Sequence, residues 1–184
     1  MLNSYLSSTV KQFKYYKSLG DKTIEQLSFE DLQNEFAADS NSIAIIVKHL
    51  VGNMLSRWTN FLTEDGEKEW RQRDDEFVDS FSSKAELLKA WNKGWICLFE
   101  AITPLKPSDL EKTIYIRHQG HSVTEAINRQ MMHYAYHVGQ IVFIGKLIKG
   151  EHWESLSIAK GQSKLYNKSK FQHQKSRKHF TDDL

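Results

Sequence analysis

The stretch Arg129-Gln-Met-Met-His133-Tyr-Ala-Tyr-His137-Val-Gly139-Gln140 places two histidines four residues apart. On an α-helix this spacing stacks both imidazoles on one face, within reach of a single metal ion. Two nitrogens describe a weak site, whereas three with open positions left over describe a catalytic one. Eight histidines in one chain make such a pair easy to obtain by chance, so its meaning rests on the helix that carries it and on a third ligand from elsewhere.

The helix is well marked. Ser122-Val-Thr-Glu125 has the form of a capping box, and from there Ala126, Ile127, Gln130, His133, His137, Ile141, Ile144 and Ile148 recur at helical spacing up to Gly150. The pattern predicts a long helix with both histidines on its inward face, where two unpartnered imidazoles would be costly and a metal would remove the cost.

Three further amphipathic helices are predicted. Leu2, Tyr5, Leu6, Val10, Phe13 and Tyr16 form a stripe as far as Leu19, with Gly20 as the expected stop. A connector follows in which Ser28 and Asp31 can cap a short turn. Asn41 or Ser42 caps a helix over residues 43–62, with Ile43, Ile46, Val47, Leu50, Met54, Trp58 and Phe61 inward. His49 lies on its flank beside Ile46, Leu50 and Asn53. Ser83-Lys-Ala-Glu86 is a second capping box, opening a helix with Leu87, Leu88, Trp91, Trp95, Leu98, Phe99 and Ile102 inward, up to Pro104.

Between the second and third helices, residues 63–80 are too long for a simple antiparallel turn and predict a crossover or ordered flap, pinned by Trp70 and Phe77. Alternation in Lys112-Thr-Ile-Tyr-Ile-Arg-His118 predicts an extended segment or small hairpin. The fold expected is all-α, a four-helix bundle over residues 1–158, followed by a partly flexible basic tail over 159–184.

Composition narrows the function classes. Cys97 is the sole cysteine, which excludes an intramolecular disulfide or a Cys-rich zinc site, and its setting Gly94-Trp-Ile-Cys97-Leu-Phe reads as core packing. The N-terminus lacks the features of a signal peptide and no apolar run reaches membrane-spanning length, so a cytoplasmic protein is expected. Net charge is only +2, but the tail carries seven lysines and arginines against two aspartates. That describes a solvated end or a partner-binding arm. Without interleaved aromatics, nucleic acid is not the favoured partner.

His49 and the pair His133 and His137 can supply three neutral imidazoles from two helices, a facial set that zinc, nickel, iron or manganese accepts. Rival schemes do worse. The chain contains no Glu-x-x-His and no His-Glu-x-x-His, and His118-Gln-Gly-His121 lies about three turns before His133, as a loop feature.

The first histidine in the second helix, the terminal His-x-x-x-His-x-Gly-Gln and the wider block from Ala126 to Val142 resemble the DinB/YfiT-like superfamily of four-helix metalloproteins, in a bacterial branch of unknown function. The likeness runs through Trp153-Glu-Ser-Leu-Ser and Lys160-Gly-Gln-Ser to about residue 165. It implies an up-down-down-up bundle, a homodimer, and a divalent ion, zinc or nickel first and iron or manganese next, held by His49, His133 and His137. In that picture Gly139 permits close approach of a helix, Gln140 hydrogen-bonds a ligand imidazole or bound water, and Asn53 and Arg129 line the pocket. Each of these four also reads as a packing or surface residue. The activity implied is metal-dependent transfer from a low-molecular-weight thiol to a small electrophile, with Arg129 orienting a carboxylate. The other readings are hydrolysis by an activated water, and a non-catalytic stress-related or structural bundle.

Overall fold

Helix α1 (Ser4–Glu25) opens the computed structural model, which describes residues 4–182. The start expected at Leu2 and the tail's Asp183 lie outside the described residues. α1 does not stop at Gly20. That residue is where the indole of Trp91 lies against the helix: a Cβ there would sit 2.6 Å from Trp91 Cζ2. Trp91 is fully buried and its N–H donates to Asp21 at 2.7 Å. Gly20 therefore serves close approach, not termination.

Ser28 and Asp31 form a complete capping box for the short α2 (Phe29–Gln33). Ser42 Oγ accepts the Ile45 amide and starts α3 (Ile43–Trp58). α3 ends four residues before the expected Leu62, and Asn60, at φ 49°, turns the chain away. Ser83 caps α4 (Lys84–Ile102). Its box stays half closed, because Glu86 bonds the amide and hydroxyl of Ser82.

The expected hairpin is formed by β1 (Thr113–Ile116) and β2 (Gln119–Ser122), antiparallel with Thr113 opposite Ser122 and Ile116 opposite Gln119. Arg117 and His118, at φ 56° and 60°, make its two-residue turn, as the right-handed twist of the strands requires. The Asp65 carboxylate accepts both of their amides at 2.8 Å, which ties the turn to the link after α3.

Ser122 and Glu125 close the second full box and start α5 (Val123–Lys149). Its buried line runs through Val123, Ala126, Ile127, Gln130, Tyr134, Val138, Ile141 and Gly145. The inward face expected through His133 and His137 is thus displaced by one residue, about 100° around the helix. Tyr134, flanked by Phe13 and Trp95 at 5.8 and 5.9 Å, takes the central place, leaving both histidines half-buried at its edge. On the outer side Met132, Tyr136, Phe143 and Leu147 are exposed.

α3 packs on α4 and α1 on α5, with further contacts between α3 and α5 and between α1 and α4. No helix among the described residues is long and apolar enough to cross a membrane. α6 (Ser163–Phe171) is largely exposed, and the chain then returns to α1. There His179 meets Ser8, Phe180 meets the edge of Tyr15, and Asp182 pairs with Lys11.

Trp70 does not pin the link between α3 and α4, being 56% exposed. Buried charge does instead. Ser56 Oγ donates to the Gly66 carbonyl and accepts the Lys68 amide. Arg57 donates to the Gly66 carbonyl and to Glu67, and Glu76 is buried beneath Arg71.

Candidate metal centre

His49 lies on α3 with 6% exposure, facing His133 and His137 on α5. One ligand nitrogen from each ring falls within 4.8 Å of the other two, and His49 Nε2 is 3.3 Å from His133 Nε2. Two nitrogens on one ion at about 2.0–2.1 Å stand about 3.0–3.4 Å apart, so this spacing fits an edge of a coordination polyhedron.

The rings are held from behind. Glu76 Oε2 accepts from His49 Nδ1 at 3.0 Å, and Arg71 grips the same carboxylate with two bonds of 2.7 and 2.9 Å. Burial alone would raise the Glu76 carboxyl, but these bonds hold it below the usual range and hence ionised. An ionised carboxylate only accepts, so the Nδ1–H of His49 is directed to Glu76 and Nε2 is the ring atom turned towards His133. His137 Nδ1 lies 2.7 Å from Gln140 Oε1 and is fixed in the same way. The carboxylate fits because α3 has a glycine beside it: a Cβ on Gly52 would sit 2.2 Å from Glu76 Oε1.

Burial, with neighbouring His137 and His49, lowers the His133 pKa from 6.5 to about 3. Burial also lowers that of His137, opposed by its bond to Gln140. Both rings are therefore neutral at physiological pH. A pH dependence follows for the metal-free protein. Below 6.5 the unfolded chain protonates at His133 while the folded chain does not, so this group favours unfolding progressively as pH falls from 6.5 towards 3. In chelator, the urea midpoint of the wild type should fall more than that of His133→Asn between about pH 7.5 and 5. Parallel curves for the two proteins would refute the assignment.

The expected companions divide. Gln140 holds the His137 imidazole by its Oε1. Asn53 lines the cavity and also accepts from the Tyr134 hydroxyl, which accepts from Trp58 Nε1. Arg129 stands exposed at the cavity wall. Gly139 makes no close helix approach within this chain: nothing lies within 4 Å of a Cβ built there. His118 and His121 stay on the hairpin and outside the cluster. Cys97 is half-buried, with Sγ 3.6 Å from Thr59 Oγ1, and burial raises its thiol pKa, as suits packing.

Glu76, Arg71 and Gly52 were not legible as site residues. Glu76 is 27 positions from His49 and hidden in the acidic run Asp74-Asp75-Glu76. The one available signal was the length of the link. The site opens into a cavity of about 380 Å³, where Phe77 stacks on His49 at 5.2 Å.

The model of a family described as a protein of unknown function matches residues 1–162, which include the four long helices and all three histidines and end just before α6. No curated protein matches the chain.

Proposed function

The chain belongs to that family, DUF1572, and we propose that His49, His133 and His137 hold a divalent metal ion in a DinB-like, up-down-down-up four-helix bundle that works as a homodimer. The observation that carries this reading is the convergence of three ligand nitrogens within 4.8 Å, with two of the rings fixed from behind by Glu76 and Gln140. Pairwise packing of α1 with α5 and α3 with α4 supports the bundle. The exposed row Met132, Tyr136, Phe143 and Leu147, with Gly139 on the same side, supports self-association through α5.

A divalent ion there, zinc or nickel by the softness of a thiol co-ligand, supplies Lewis acidity sufficient to make a nucleophile at neutral pH. The reaction proposed is transfer from a low-molecular-weight thiol: the S–H proton passes to solvent, sulfur bonds to a small electrophile, and the leaving group departs with its electron pair. One observation favours thiol over water. Among the described residues no aspartate or glutamate lines the cavity, so none of their carboxylates is placed to take a proton, and a thiol of pKa about 8.5 needs the least help. The chain's own contribution is to fix the two imidazoles by Glu76 and Gln140 and to shelter the reacting centre under Phe77.

Native mass spectrometry of the purified full chain reads metal content and assembly together. One divalent ion per chain in a dimer is expected, with chelator lowering the melting temperature. The metal reading is wrong if the His49→Ala, His133→Ala double variant keeps both its metal and its chelator-sensitive melting. Metal without thiol consumption across a broad electrophile panel would turn the reading to hydrolysis or to a structural ion.

A further inference from the structure

The wall of the cavity carries more positive charge than the metal reading uses. Among the described residues five arginines line it and no carboxylate does. Two of the five are neutralised from behind: Arg57 by Glu67 at 2.9 Å, and Arg71 by Glu76 at 2.7 Å. The other three are not matched in this way. Arg129 has no ion-pair partner among the described residues and is exposed. Arg117 reaches Glu67 only at 3.4 Å, on an acid already shared with Arg57 and Arg71, and its side chain is 57% exposed. Arg73 lies over Phe77 at 5.4 Å, the ring that stacks on His49. A concave site with low-dielectric walls and an excess of one charge concentrates the opposite charge. The planar fork of arginine suits carboxylate and phosphate oxygens in particular.

A second, independent feature points to a ligand. Gln130 lines the same cavity at 3% exposure, and its buried Oε1 accepts no hydrogen bond. A buried acceptor left unpaired is destabilising, so it marks a place where a donor from a bound molecule is accommodated.

We propose that this cavity takes a small organic oxyanion, its carboxylate or phosphate held by Arg73, Arg117 and Arg129, and a hydroxyl or N–H of the same molecule donated to Gln130. The proposal rests on the metal reading only in making this molecule a reactant beside the ion; the arginines bind it whether or not a metal is present.

The test titrates the full-length protein by calorimetry, metal-loaded and chelated, with inorganic phosphate, with succinate and with uncharged succinamide. At least one anion should bind and succinamide should not. Arg129→Gln and Arg73→Gln, both at exposed positions, should each weaken binding about tenfold with metal content unchanged, and Arg177→Gln, on the tail, should not. Preference for phosphate assigns a phosphate ester, and preference for succinate a carboxylic acid. Arginine-dependent anion binding by a protein that carries no metal upholds the proposal and removes the metal reading. Anions bound equally by wild type and both cavity variants, or not bound at all by metal-loaded protein, overturn the proposal and leave the metal reading standing.

Discussion

Glu76→Ala should lower stability by about 3–5 kcal/mol in chelator and weaken the proposed metal binding by about 10–100-fold. The first figure follows from what remains behind. Arg71 has a side chain only 2% exposed, and without Glu76 its nearest acid is Glu67 at 3.3 Å, already engaged by Arg57. A buried guanidinium left with only a share of one acid is among the more destabilising defects a single change creates. The second follows from His49, whose Nδ1–H loses the acceptor that fixes its orientation. Urea unfolding and metal titration measure the two separately. Glu76→Gln, which keeps an acceptor for His49 but not the charge, should restore more of the metal affinity than of the stability. A loss below about 1 kcal/mol with unaltered metal binding would show that the buried carboxylate does not hold the site.

Trp91→Ala should be comparably damaging, about 3–5 kcal/mol, through the cavity left by a fully buried indole and the loss of its bond to Asp21. Its contact with Gly20 allows a sharper form of the experiment. In the wild type, Gly20→Ala should destabilise by about 1–3 kcal/mol through overpacking, against a helix-propensity gain of about 1 kcal/mol. Trp91 cannot yield, being held by Asp21 on one side and by Trp95, 5.4 Å away between ring centres, on the other. With Trp91 already alanine, Gly20→Ala should instead be neutral or stabilising. A double-mutant cycle on unfolding free energies reads that reversal, and additive effects would rule out the contact as the reason for the glycine.

The long helices were legible because each announces itself locally by an apolar period, and three of the four also by a Ser or capping box at the start. Ser42, Ser83 and Ser122 all cap where expected. The structure departs from the local pattern where a residue answers to something distant. Gly20 has the form of a helix stop, yet its reason lies on α4, 71 positions away. Trp70 has the composition of an anchor, but the link is held by Arg57, Arg71 and Glu76, charged residues that composition assigns to the surface. The histidine triad was readable from spacing and from the second helix. The buried line it borders lies one residue from the spacing's expectation, because Tyr134, with its hydroxyl satisfied by Trp58 and Asn53, is buried in place of an imidazole.

The fit between Gly52 and Glu76 also bears on how such a site can drift over generations. A side chain at position 52 would occupy the space of the carboxylate, so either position can change only when the other does, or when the carboxylate is no longer needed. Across related chains the two positions should be inherited as a pair: glycine with glutamate where the histidines are kept, and freedom at both where they are lost. An isolated departure at position 52 would then mark a lineage that has abandoned the centre before its histidines have had time to disappear.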